Sequence, residues 1–566
     1  MSPPESSSPD AAVTDGAGPT TRTARVRQPS AERVIRVLTG LFLLVPALWA
    51  CGHFWPPINH DVGAILDMSR KWLNGARIYR DIIDVNTPLV FVLYALPELL
   101  AKVFGGLGAQ WVVGCVIAAI AASTCASYRL LRRLTGPDQP VGGILLPLLV
   151  PFLLAVLPPD NSFAQREHVM VVLAFPYVLA SALRARGDGL PLGTAVAVGL
   201  AAGTGFGLKP HFLAIPTLVE LYVLTRRPLR IGLTDPVPWA IAAALLVHVL
   251  IGAFLTPDYW RFVLPFVFEF YTRIGGSSPV EVLTGSVAFT SLLAFAGTVL
   301  ASFAVPRLRL VPVAVAFGVG AILAAVAQGK GWPYHTYPAL AMAVLAFAAT
   351  LAGLADRYAV TSRERSRLPG VVMASTLLGL FYAQSVIADP PFRMQQQFAG
   401  SAVHQLLQIV QRYAKDGKVL VFSPGIYPHY PMVNYAGVET VIRFQTMWPL
   451  QGIYAQCEPN APLYNEPAEM AAGERFVFDS VAEDFARERP SVLIVDRVPG
   501  MPRCRNEVFN YLEYFKRHPA FARTFAEYRP VVELERYVVY RRSNRLRPPD
   551  GTAPAPQPPG PTDPAN

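Results

Sequence analysis

The sequence predicts a polytopic α-helical membrane protein with about eleven transmembrane helices and a C-terminal α/β extracytoplasmic domain. Three observations predict it. The 566 residues are 52% hydrophobic and only 16% charged, against about 25% charged in an ordinary soluble domain, and the mean hydropathy is +0.35. The apolar residues come in long runs of the kind that cross a bilayer. The basic residues gather in short loops between those runs, on one side of the membrane.

Residues 1–33 form the first segment, rich in Ser, Pro, Thr and Ala and without apolar periodicity. They read as a disordered cytoplasmic tail. The first apolar run lies too far in for a cleavable signal peptide, and no small-residue cleavage site follows it. Apolar runs then cover 34–54, 109–127, 141–157, 168–183, 191–207, 211–225, 237–256, 283–304, 310–328, 336–355 and 369–387. A further apolar segment, Pro88 to Gly105, is short and carries Pro97, Glu98 and Lys102. Treated as a helix on the membrane surface, it leaves nineteen Lys and Arg on the N-terminal side and ten on the other. Treated as a span, it inverts every later loop against that bias. The prediction is therefore eleven spans in residues 34–388, with the N-terminus in the cytoplasm and a first outer loop at 55–108.

After Asp389 the composition becomes that of a globular domain. Lys418–Ser423, Ser491–Asp496 and Val531–Tyr540 read as strands, and Gln395–Lys415 and Glu507–His518 as helices, which predicts an α/β domain over 389–544. Residues 545–566 are a Pro-rich, disordered tail. Cys457 and Cys504 are the two cysteines of this domain. Outside the cytoplasm they are disulfide candidates, and two free thiols remain the alternative.

The net charge of +10 is not a nucleic-acid signature, because its arginines sit in orientation-setting loops. The chemically varied residues lie in the outer loops instead. The first carries His60, Asp61, Asp81 and Asp84; between them Val62, Ile65, Leu66, Trp72 and Leu73 share one face of an expected interfacial helix, with Asp67, Arg70 and Lys71 displaced from it. Gly75 is its natural stop. Asp61 falls at the start of that helix, where a simple cap and a functional acid are both open readings. The second loop brings Gln165, Arg166, Glu167 and His168, and the third Lys209 and His211. The fourth brings Tyr259, Trp260 and Tyr271, and the fifth Lys330, Trp332, Tyr334 and His335. Cations suit a phosphate, aromatic faces suit a sugar ring or an isoprenoid chain, and a carboxylate can take a proton from an attacking hydroxyl or amine. No His/Cys/Asp cluster has convincing metal-ligand spacing, and a divalent metal stays open.

The order of these features resembles the GT-C membrane glycosyltransferases, including the protein O-mannosyltransferases and the lipid A aminoarabinose transferase. The residues that carry the resemblance are Asp61 in the first outer loop, NG-x-x-x-YRD over 74–81 leading to NTPLVFVLYALPELLAKVFG, and a span ending YRLLRR. FAQREHVMVVLAFPYVL, GLAAGTGFGLKPHFLAIPTLVEL and GKGWPYHTYPAL are similar to loop-and-span junctions of bacterial members. The resemblance covers roughly 34–390 and implies transfer of a sugar from a polyprenyl phosphate carrier to a glycan, lipid or protein acceptor, at the outer face of a bacterial cytoplasmic membrane. It implies Asp61 as the catalytic residue, a base or an acceptor-orienting group. Many relatives have adjacent acids there, whereas Asp61 stands between His60 and Val62; Asp81 or Asp84 would then supply a second acid, with Tyr79-Arg80-Asp81 equally readable as a structural turn. On this expectation Arg166, Lys209, His211, Lys330 and His335 meet the donor phosphate, and Tyr259, Trp332 and Tyr334 wall the sugar and lipid. The alternatives are a transporter or flippase of lipid-linked sugars, which would place more charge in mid-membrane, and a glycan polymerase or ligase.

Overall fold

The computed structural model describes residues 31–136, 139–158, 161–302, 309–361, 390–455, 462–498 and 508–543. The helices of the N-terminal part are α1 (Ala31–Gly52), α2 (His60–Leu73), α3 (Pro88–Phe104), α4 (Gly108–Leu134), α5 (Pro140–Ala155), α6 (Arg166–Arg186), α7 (Leu192–Phe206), α8 (Ala214–Leu224), α9 (Leu229–Leu233), α10 (Pro236–Leu250), α11 (Leu264–Phe270), α12 (Pro279–Thr284), α13 (Ser286–Ser302), α14 (Leu310–Gln328) and α15 (Pro333–Thr361). Among the described residues, five helices are long and apolar enough to cross a membrane: Gly108–Leu134, Arg166–Arg186, Leu229–Leu255, Leu310–Gln328 and Pro333–Arg357. Five shorter apolar helices, Phe42–Gly52, Val141–Ala155, Leu192–Phe206, Pro210–Leu224 and Ser286–Ala301, fall on the other expected runs. The eleventh expected run, 369–387, lies outside the described residues, as do Cys457 and Cys504.

Helix α6 sits at the centre of the bundle. Nearly every residue from Arg166 to Ala185 is buried, on all faces, among α4, α7, α8, α14 and α15. A helix apolar all round is a core helix, and here it carries its polar residues only at its two ends. At one end Arg184 bonds Asp235 and Glu220 at 2.6 and 2.7 Å. At the other stand Arg166 and Glu167. Close approach is arranged by small residues: a Cβ on Gly199 or Gly203 of α7 would come within 2.6 or 2.8 Å of a neighbouring Ala Cβ on α10.

The segment Pro88–Phe104 is a helix packed beside α2 and α4. Val90, Phe91 and Tyr94 are buried against the bundle, while Leu96, Leu99, Val103 and Phe104 are exposed. One apolar face turned inward and one outward is what a helix at a lipid boundary shows. The Tyr94 hydroxyl donates to the Ala164 carbonyl at 2.5 Å and so pins the second outer loop.

The C-terminal part is a five-stranded mixed sheet with the order β2-β1-β3-β5-β4. The strands are β1 (Lys418–Phe422), β2 (Glu439–Thr440), β3 (Val492–Asp496), β4 (Tyr528–Glu533) and β5 (Tyr537–Arg542). β1 runs parallel to β2 and to β3, with Val419 opposite Val492. Val419–Phe422 of β1 and Val492–Val495 of β3 are apolar and buried, as parallel strands covered on two faces are. The single strand expected over 531–540 is instead the hairpin β4–β5, turning at Leu534–Arg536. The longest helix of this part, Ala472–Glu488, packs on the sheet and was not marked as an element by periodicity.

This domain is seated on the outer-loop face of the bundle. Ile83 of the first loop bridges Phe444 as an added strand residue, its N–H donating to the Arg443 carbonyl at 2.7 Å. Phe266 of α11 meets Trp448 edge to face at 5.6 Å, and Gly452 lies so close that a Cβ there would stand 2.3 Å from the Phe270 carbonyl oxygen. The polar face of α2 is part of the same contact. Asp67, expected to face away from the core, is fully buried. It binds Arg70 at 2.6 Å and Lys71 at 3.6 Å, and accepts from Tyr430 at 2.9 Å and Thr440 at 3.0 Å. The face that looked solvent-directed is covered by the C-terminal domain.

Candidate active site

Helix α2 begins at His60, and its cap is Asn59: the Asn59 Oδ1 accepts from the N–H groups of Asp61 at 2.9 Å and Val62 at 3.3 Å. Asn59 also donates to the Asn161 carbonyl at 2.7 Å, which ties the first outer loop to the second. The cap reading of Asp61 is therefore excluded by geometry: its neighbour does that work. Asp61 sits one residue into the helix with its carboxylate turned into a cavity of about 410 Å³.

Three groups face that carboxylate. Tyr334 donates to Oδ2 at 3.3 Å, the Arg166 guanidinium lies 3.6 Å from the same oxygen, and the His60 ring is 3.8 Å from Oδ1. Arg166 is buried to 9% exposure and is held from behind by the Asn86 side-chain carbonyl. Asn86 is in turn fixed by Asp84, which accepts from its backbone N–H at 2.8 Å and its amide at 2.6 Å. Burial pushes the Asp84 carboxyl up, against the bonds from Asn86. Asp84 thus orients Asn86, Asn86 orients Arg166, and Arg166 faces Asp61.

Arg166 and Glu167 are successive residues and point in different directions. Glu167, buried, accepts from the Lys209 ammonium at 2.5 Å. Lys209 also donates to the Gln328 side chain at 2.8 Å and lies 3.4 Å from the His335 ring. Its ammonium stands 5.7 Å from the centre of the Tyr334 ring, so Tyr334 separates this second polar cluster from Asp61. Burial pushes the Lys209 pKa down to about 8, opposed by the Glu167 carboxylate. The rings of Trp332, Tyr334 and His335 pack together, with Tyr334 and His335 edge to face and their centroids 4.5 Å apart.

The other expected residues are placed differently. Asp81 is exposed and paired with Arg77 at 3.0 Å. The Lys330 ammonium donates to the carbonyls of Tyr271 at 2.9 Å and Ile274 at 2.5 Å. Lys330 thus braces the fourth loop, whose Tyr271 and Ile274 do line the cavity. Tyr259 packs on Tyr79 at 5.0 Å, away from the lining. His211 is exposed in the turn after Lys209. His168, from the polar run of the second loop, is a brace: it accepts from Ala164 N–H at 2.9 Å and bonds the Leu154 carbonyl at 2.6 Å.

The opposite wall comes from the C-terminal domain, as Pro424 to Ile426, Gln445, Thr446, Trp448 and Gln451. Sequence alone gave no role to these residues or to Asn59 and Asn86, although Asn86 opens the NTP run of the resemblance. Asp61 is the one carboxylate among the lining residues, and among the described residues no three His, Cys, Asp or Glu side chains gather as a metal-binding group.

No protein-family model matches the sequence, and no curated protein matches it. The crystal structure of ArnT from Cupriavidus metallidurans bound to undecaprenyl phosphate matches with a TM-score of 0.54 at 14% identity, covering 92% of this chain and all of that one. At that identity the likeness is one of fold alone: the chain has an ArnT-like fold.

Proposed function

We propose that the protein transfers a sugar from a polyprenyl-phosphate-linked donor to an acceptor at the outer face of the cytoplasmic membrane. The observation that carries this reading is Asp61, relieved of capping duty and presented beside Arg166 and Tyr334 in a cavity between the helices and the C-terminal domain. The similar fold of a protein solved with undecaprenyl phosphate supports the class of donor. The side of the membrane rests on the excess of basic residues in the loops opposite the cavity.

In this reaction the acceptor hydroxyl or amine attacks the anomeric carbon of the donor and gives its proton to Asp61. The bond from that carbon to the phosphate oxygen breaks, and its electron pair leaves on the polyprenyl phosphate. Arg166 faces the growing charge directly, and Lys209 adds a second cation behind Tyr334. Asp61 is engaged by Arg166 and Tyr334 and has no second carboxylate in the lining, so the reading assigns the charge to these cations. Turnover unchanged by EDTA is the expected outcome.

The test is sugar release and transfer from a radiolabelled polyprenyl phosphate sugar by purified wild-type protein and by Asp61→Asn. Loss of turnover in the variant, with carrier binding retained, is the result expected. Equal turnover in both removes Asp61 from the chemistry. Movement of the carrier across vesicles with no transfer replaces the transferase by a flippase.

A further inference from the structure

The two walls of the cavity differ in kind. The membrane-side wall is charged, with Asp61 and Arg166. The wall from the C-terminal domain carries no ionisable side chain among its lining residues, yet it is rich in hydrogen-bonding groups. Gln445 and Gln451 are half-buried, and among the described residues neither carboxamide is hydrogen-bonded to protein. Trp448 is 5% exposed, and its indole N–H is buried without an acceptor.

This wall is held in place. Phe266 and Tyr271 clamp the Trp448 ring edge to face, both at 5.6 Å. Thr446 Oγ1 accepts from the Trp448 backbone N–H at 3.2 Å, and the Met447 backbone N–H donates to the Ser423 carbonyl at 3.0 Å. The indole cannot swing out to find solvent without breaking the domain contact. A carboxamide sets a donor beside an acceptor, which fits two neighbouring hydroxyls of a sugar ring. An ammonium or carboxylate on the sugar would meet no counter-charge on this wall, and burying an uncompensated charge is costly.

We propose that Gln445 and Gln451, set against the fixed Trp448 ring, form the sugar-recognition wall, and that the group transferred is a neutral, hydroxyl-bearing sugar. The inference rests on the transferase reading above and adds to it the class of sugar and the residues that select it. A site built to bond substrate hydroxyls discriminates strongly, because a substrate that lacks them leaves its groups unpaired.

The test uses the full-length protein in nanodiscs with three polyprenyl phosphate donors, bearing a neutral hexose, an amino sugar and a uronic acid. Wild type is expected to prefer the neutral donor by at least about tenfold in kcat/KM. The double variant Gln445→Ala/Gln451→Ala is expected to raise KM for that donor at least about tenfold, while binding sugar-free undecaprenyl phosphate as wild type does. Gln451→Glu, which adds a counter-charge for an ammonium, is expected to shift preference toward the amino sugar. Preference of wild type for a charged donor overturns the inference, and so does an unchanged KM in the double variant. Should the double variant also lose the bare carrier, Gln451→Glu decides, and an unchanged donor preference there overturns it. Turnover of none of the three donors by wild type overturns the transferase reading, and this inference with it.

Discussion

Because Asn59 caps α2, Asp61 gives neither carboxylate oxygen to the backbone, and its environment is set by Arg166, Tyr334 and His60. Replacing Asp61 by Asn keeps the shape and removes the base. Turnover is expected to fall about 10²–10⁴-fold, the usual contribution of a positioned general base, as read by sugar release at saturating donor. The Lys209 ammonium gives a pH signature. With its pKa pushed down to about 8, the cation is present below that pH and lost as pH rises through it, so kcat/KM is expected to fall on the alkaline side. Lys209→Arg, which stays charged, is expected to move that limb upward, and a pH profile of both proteins checks it. Asp61 and Arg166 were legible in the sequence because a charge beside an apolar run has few uninteresting explanations. Asn59, Asn86 and Gln445 were not, because an amide in a loop is ordinary until its partner in space is known.

Among the elements, α2 shows what periodicity can and cannot say. Its apolar stripe and its stop at Gly75, where φ is +103°, follow from residue spacing. Its polar stripe does not reveal whether water or protein covers it, since Asp, Arg and Lys suit either when paired. Here Tyr430 and Thr440 complete the pairing of Asp67 with Arg70 and Lys71. Removing one member of a buried ion cluster leaves the others uncompensated, so Asp67→Ala is expected to destabilise by about 3–5 kcal/mol. A lower melting temperature and faster proteolysis of the C-terminal domain would show it. Burial pushes the Asp67 carboxyl up, but Lys71, Arg70, Tyr430 and Thr440 hold it below its ordinary value. The stabilisation is therefore present above that ordinary value and lost as pH falls through the lowered one. Helix α3 was legible for a different reason. Its apolar residues resemble a span, and its short length, its Pro97, Glu98 and Lys102, and the distribution of arginines in loops far from it argued otherwise.

For the whole molecule, the outer-loop assignment and the position of the C-terminal domain bear on one another. The first, second, fourth and fifth loops meet that domain around one cavity, which requires them to share a side with it. Reporter fusions at Thr87 and Gly106 are accordingly expected to report the same side of the membrane; opposite sides would make 88–105 a span. The architecture was legible as helices and a terminal α/β domain. Its docking was not, because Ile83 against Phe444 and Gly452 against Phe270 are contacts between residues far apart in the chain, and such pairs leave no local pattern.

The cavity is assembled from both ends of the chain, and synthesis delivers those ends at different times. Asp61 emerges early and Gln445 late. Until the last domain folds onto α2 and α11, the acid and its guanidinium have one wall only, and the nearest acceptor is water. On the transferase reading, an interrupted or clipped chain would squander the donor by hydrolysis, so completion of the polypeptide acts as a safeguard on an activated sugar.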